Sequence, residues 1–307
     1  MATVPIWNPV KPNPSGWFLT GLSENMVRME ERHPGWLADV RSGTELVIAS
    51  DYAGDKQAYQ SLSFLLLSLP GNEKWDSARA DFRSKWLTDG RGIAYKGLDP
   101  NSFELDALPA FLNAADSIDG ISITFLLNKN IRSVIANDER TYLKNCLQEN
   151  CLQDFTGWKD KPFEKLFRVA QFVGFLVAGL SRVGQNIWWL TDEDEIVANE
   201  QRLQAAMKFL AGASTRFVTH CLGSLRCMTD ACDGGTGFAK DLTSIPDLVA
   251  GALAEAWNKS AHDGTLPKSG QSSMLSPNVA PKALRILSWL SQKDTSLKKL
   301  VCVVKPS

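Results

Sequence analysis

Net charge of either sign is almost missing: across 307 residues, 33 Lys and Arg stand against 34 Asp and Glu, for a formal total of −1. No bulk field therefore draws in phosphate, and a nucleic-acid partner has to be held by local basic patches or through metal ions. Histidine is scarce, with only His33, His220 and His262, so histidine-based acid–base chemistry has little material. There is no GxxxxGK[ST] run, which excludes a P-loop NTPase, and no GxSxG elbow, HExxH helix or convincing Cys-His pair. Six cysteines occur without any CxxC pair. His220, Cys221, Cys227 and Cys232 fit no zinc-finger spacing, so these cysteines are read as structural thiols, with a zinc-binding regulatory protein as the weakest alternative. The most apolar long stretch, Val169 to Leu180, falls short of the roughly 18 residues that a spanning helix needs. Bracketed by Arg168 and Arg182, it reads as a buried core helix, and no membrane partner is expected. The opening MATVPIWNPVKPNPSGW lacks the apolar core of a signal peptide, which points to a reducing, cytoplasmic home with free thiols.

What is present is ordinary globular material, 44% hydrophobic and 22% charged. Residues 1–43, with Pro5, Pro9, Pro12 and Pro14 ahead of a short helical stretch, suggest an arm that wraps a domain. From Glu45 a strand leads to Asp51, and YQSLSFLLLSL (59–69) follows after a linker short enough for a hairpin. A charged helix over Glu73–Trp86, a third strand at GIAYKGL (92–98), a helix over 105–118 and a strand at 120–129 come next. A helical insertion of about 138–182 feeds through Gly184 into the strand of QNIWWLT, then a helix over Glu195–Phe217 and a strand within 221–229. DACDGGTGFAKD is a glycine-rich loop, read as a mobile lid, and a helix opens at IPDLVAGALAEAW with Pro246 in its first turn. Residues 259–307 add a polar linker, a helix and a last strand packed on the same domain, 44–258. No internal repeat is visible. Strands followed by alternating helices and strands describe an α/β mixed sheet with helices on both faces, in the outline of an RNase H-like fold. Ligand sites in such sheets gather at the carboxyl ends of central strands.

Three places set carboxylates at the ends of apolar elements: Asp51 after LVIAS, Asp192 and Asp194 after IWWLT, and Asp247 in IPDLVAGA. Two divalent ions about 3.5–4 Å apart need hard oxygen ligands converging from several elements, so that the attacking and leaving oxygens of a phosphodiester are both stabilised. No single stretch supplies that geometry. Each acid alone also has a bland reading: a turn aspartate at Asp51, an acidic first turn in DEDEI, a capping residue at Asp247. Their order along the chain is what raises the metal reading.

These motifs resemble a widespread, uncharacterised bacterial group of RNase H-like proteins, which opens with a strand-end motif close to DESGD. SDYAGD stands in that place, WWLTDEDE matches the group's second acidic position, and IPDLVAGA matches its ADLIAGA-like helix. The resemblance runs over roughly residues 44–258. It implies Asp51, Asp192 or Asp194, and Asp247 as ligands of Mg2+ or Mn2+ in a site that cleaves or transfers phosphodiesters, in association with a defence system or a mobile element. Tyr52 takes the place of a glutamate found in many relatives, and the strand 121–127 ends in Asn128 rather than an acid. Either the WWLTD strand neighbours the first strand, or the site is partly degraded.

Among basic residues, Lys96 is a candidate phosphate contact at the same sheet end, and Arg79 and Arg83 belong to a basic stretch that could track a nucleic-acid backbone. A solvated helix face is the plainer reading of that stretch. Two functions follow as expectations: a metal-dependent nuclease with Asp51, Asp192 and Asp247 catalytic, or a non-catalytic RNase H-like module that binds nucleic acid or a protein partner.

Overall fold

Aliphatic and β-branched residues fill Glu45–Ala53, Tyr59–Leu69 and Gly120–Asn128, and these form strands β1, β2 and β3. The computed structural model describes residues 5–10, 17–131, 160–192, 196–229, 234–266 and 275–304. Among these residues the chain is α/β, with seven α-helices and six strands that pair both parallel and antiparallel. It divides into two compact units, Met1–Leu46 with Arg132–Thr229, and Val47–Ile131 with Asp230–Ser307.

In the second unit the strand order is β1-β2-β3-β6, with β6 at Leu297–Val304. β2 and β3 pair antiparallel, and the hydroxyls of the facing residues Ser63 and Thr124 bond at 2.9 Å. β6 runs parallel to β3. Almost every residue of β2 and β3 is buried, which is why both read as continuous apolar runs rather than as alternation. The strand 121–127 therefore neighbours β2 and β6, not the first strand. Helices α2 (Glu73–Trp86) and α3 (Phe103–Ala115) pack through Phe82 and Trp75 on Phe111, with ring centroids 5.3 and 6.4 Å apart. Helix α6 (Phe238–His262) lies on β2 and against α7 (Pro281–Leu290).

Two expectations are corrected here. Residues 92–98 are not a strand but a loop with one 3-10 turn, Tyr95–Gly97. The Tyr95 N–H donates to the Asp247 carboxylate at 2.6 Å and its hydroxyl to Glu255 at 2.5 Å, so side chains of α6 satisfy it instead of a neighbouring strand. The helix expected to open at Ile245 opens at Phe238, with Pro246 inside it. Gly237, in the left-handed region at φ 68°, makes the turn into the helix, and Asp241 is the acid of its first turn. Thr243 and Ser244 donate back to the carbonyls of Ala239 and Lys240, the local back-bonding that Ser and Thr make inside helices.

The first unit holds α1 (Trp17–Arg32), α4 (Asp160–Leu180), β4 (Asn186–Thr191), α5 (Glu200–Phe217) and β5 (Leu225–Met228). β5 and β4 pair parallel, and the order continues to the first residues of β1, where the Asn186 N–H donates to the Thr44 carbonyl at 3.0 Å. Phe163 and Phe167 of α4 meet Phe209 of α5 at 5.9 and 5.4 Å. Val169, Phe172, Phe175 and Leu176 are fully buried, as expected for the apolar run. Residues of the expected arm are fastened here: the N–H groups of Ile6 and Trp7 donate to the Glu30 carboxylate at 2.5 and 2.9 Å, and Asn8 N–H donates to Gly179. The part of the expected helical insertion before Asp160 lies outside the described residues. No helix of the described residues is long and apolar enough to cross a membrane.

Candidate functional site

Asp51 sits half-buried on β1, and the alternation of a strand puts it on the same face as Ala53. Tyr52 takes the other face, its ring edge-on to Phe64 at 6.3 Å and its hydroxyl bonded to Ser50 at 2.6 Å. The strand stops at Gly54 because the chain turns there: φ is +86°, Gln57 N–H donates to the Gly54 carbonyl at 2.8 Å, and a Cβ on residue 54 would sit 2.4 Å from the Tyr59 carbonyl oxygen. Asp55 closes the turn by accepting from the Gln60 amide at 2.6 Å.

Beyond this strand end opens a cleft of about 620 Å3, walled by Ala53 and Gly54, by Tyr95 and Lys96, and by the α6 face carrying Glu255 and Lys259. Tyr95 is its fixed point. Asp247 and Glu255 hold its N–H and its hydroxyl, Lys282 donates to its carbonyl at 3.0 Å, and the Lys282 ammonium lies 4.6 Å from its ring centre. Gly251 makes room for the ring, since a Cβ there would come within 2.3 Å of it. Burial and the Glu255 hydrogen bond push the Tyr95 phenol well above its ordinary value. Burial also raises the Glu255 carboxyl, but hydrogen bonds from Lys259, Tyr95 and the Ala280 N–H outweigh that and hold it below the usual range. His262 and Asp263 line the far end, where Asp263 accepts from Ser276 and Asn278.

Lys96 is thus placed at the cleft, exposed, on the turn that Asp247 pins. Asp247 itself is half-buried within α6, not at its start. Asp192 follows β4 in the first unit and is exposed; Asp194 lies outside the described residues. Arg79 and Arg83 point elsewhere. Arg83 grips the fully buried Asp241 carboxylate with two hydrogen bonds of 2.6 and 2.7 Å, and Arg79 adds a third at 3.2 Å. Both also reach the glycine-rich residues, at the Thr236 and Gly237 carbonyls, which ties these two residues to α2; of the loop expected as a mobile lid, residues 230–233 lie outside the described residues. Among the described residues no group of three or more His, Cys, Asp or Glu side chains is arranged to hold a metal ion. Cys227 is buried, Cys221 and Cys302 are free thiols, Cys232 lies outside the described residues, and His220 bonds Ser181 at 2.9 Å.

Sequence reasoning missed Tyr95, Glu255 and Asp241. For Glu255 a signal existed: Asp247, Gly251, Glu255 and Lys259 recur every four residues, one face of a helix. Compared with known protein-family models and with curated proteins, the sequence finds no match.

Proposed function

We propose that the chain is a divalent-metal-dependent enzyme of RNase H-like type that cleaves or transfers phosphodiesters of nucleic acid. The observation that carries this reading is the position of Asp51: a half-buried carboxylate near the carboxyl end of β1, two residues ahead of the cleft wall at Ala53. Strand order supports it as well, since β1 is followed outward by β2 and then β3 in the second unit, while β4 lies next to its first residues in the first. The second unit offers two carboxylates for Mg2+ or Mn2+, Asp51 and Asp247, and their oxygens are hard donors of the right kind. Mg2+ is commonly held by one or two carboxylates together with water and substrate phosphate, so a dedicated all-protein cage is not required. When bound, such an ion would supply an activated water and stabilise the attacking and leaving oxygens of the phosphodiester. The chain's own part is to fix Asp51 on a strand, to hold Asp247 through the Tyr95 N–H, and to present Lys96 to phosphate. Asp192, exposed after β4, remains the candidate of the first unit.

One contact favours a second reading, a non-catalytic module that binds nucleic acid or a protein partner: Asp247 is engaged with the Tyr95 backbone at 2.6 Å, the work of an anchor. Calorimetric titration with Mn2+ and Mg2+, run beside cleavage assays on single- and double-stranded DNA and RNA, separates the two. The enzyme reading expects metal binding and cleavage in the wild type and loss of both in Asp51→Asn with the fold intact. Wild-type protein that binds neither ion and cleaves nothing leaves the binding module.

A further inference from the structure

We propose that the cleft at the end of β1 receives a single phosphodiester unit of an extended single strand, with Lys96 as its charge contact. This rests on the nucleic-acid reading above and narrows it to a substrate class. The cleft's acids are already occupied: Glu255 accepts from the Tyr95 hydroxyl, the Lys259 ammonium and the Ala280 N–H, and Asp263 from Ser276 and Asn278. Its cations are less so. Lys259, bonded to Glu255 and to the Asn278 carbonyl, is still 41% exposed, and Lys96 has no hydrogen-bond or ion-pair partner among the described residues. The groups left to meet a ligand are thus donors, and their match is an anion of low charge, such as one phosphodiester. Size points to a single strand. At about 620 Å3 the open cleft has room for one nucleotide-sized unit; a duplex nucleotide enters only at the cost of unpairing and unstacking, which an unpaired chain does not pay. One face of the Tyr95 ring is already covered by Lys282, so affinity here comes from the phosphate contact more than from stacking. Tyr95 acts as a positioning residue: three hydrogen bonds fix it, and Lys96 is its chain neighbour.

The test is fluorescence anisotropy of a labelled single-stranded oligonucleotide and of its duplex, in EDTA, over a series of salt concentrations. The variants are Lys96→Gln and, as control, Lys293→Gln, an exposed lysine that does not line the cleft. The expected result is tighter binding of the single strand, weakened about threefold to fivefold by Lys96→Gln. The slope of log affinity against log salt should become shallower by about 0.7, the share of one phosphate contact on a single strand. Lys293→Gln should change neither. Equal affinity and slope in Lys96→Gln and wild type, equal losses in both variants, or a preference for duplex would overturn the proposal. A separate cleavage assay with Mg2+ tells the two readings apart. Lys96-dependent binding without cleavage removes the catalytic reading and keeps the cleft; cleavage with Lys96-independent binding does the reverse.

Discussion

Asp241→Ala is expected to destabilise the protein by about 3 kcal/mol, near the low end of what breaking a buried ion pair costs. The carboxylate is completely buried, and it neutralises Arg83 through a bidentate contact and Arg79 through one further bond. Alanine removes the acid but leaves both guanidinium groups, which are only 14% and 15% exposed, without their counter-charge. That slight exposure lets water recover part of the loss, which is why the low end applies. Loss of an acid from the first turn of α6 adds about 0.3–1 kcal/mol. Against total stabilities of about 5–15 kcal/mol the effect is large enough to read directly from urea unfolding followed by circular dichroism. A double-mutant cycle sharpens the test. Arg83→Met alone leaves the buried acid with a single bond from Arg79, whereas the double variant removes both halves of the strongest contact. The two costs should therefore fall short of additivity by about 0.5–3 kcal/mol. A cost for Asp241→Ala below about 1 kcal/mol, the value of a solvated surface pair, would refute the reasoning, as would strict additivity.

Two further outcomes follow from the cleft. Gly251→Ala places a methyl 2.3 Å from the ring of Tyr95, a residue that three hydrogen bonds prevent from stepping aside, so a cost of about 1–3 kcal/mol is expected in thermal or urea unfolding. A variant as stable as wild type would show that Tyr95 is not fixed as described. The lowered pKa of Glu255 makes its contribution to stability full above the ordinary carboxyl value of 4.5 and lost as pH falls from there through the lower folded value. Wild type should therefore lose stability on acidification below about 4.5 more steeply than Glu255→Gln, which has no charge to lose; parallel acid limbs in urea midpoints would contradict this.

Much of the fold was legible because its strongest elements carry period and length together. β2 and β3 are long apolar runs rich in β-branched and aromatic residues, and α4 is apolar over the whole of Val169–Leu180, so burial on all sides was the only economical solution. The stretch 92–98 failed for a physical reason: Ile93, Ala94, Tyr95 and Leu98 look strand-like, but the partners of Tyr95 are carboxylates that lie more than 150 positions away in sequence. No local pattern reports such partners. The start of α6 was misplaced because Pro246 resembles a first-turn proline, while the actual start relies on Gly237 and on a buried acid whose counter-ions sit on α2. Arg79 and Arg83 were read as a solvated or phosphate-tracking stretch for the same reason: a basic helix face looks alike whether it meets water, phosphate or one buried aspartate.

That ambiguity bears on the acids too. A carboxylate that holds a cation and one that anchors a backbone N–H use the same oxygens, so residue type and order along the chain do not tell ligand from anchor; the donor that faces the group does. Asp247 faces the Tyr95 N–H, and removing it by Asp247→Ala would release the turn that bears Lys96 along with any metal contact, mixing folding with function in one measurement. Asp51 is different in this respect. It lies on a strand whose burial is carried by Leu46 to Ser50, and asparagine keeps its shape while removing its charge. A change in metal binding or cleavage on Asp51→Asn therefore reads chemistry, and the unfolding midpoint of the same variant shows whether the strand end has been left intact.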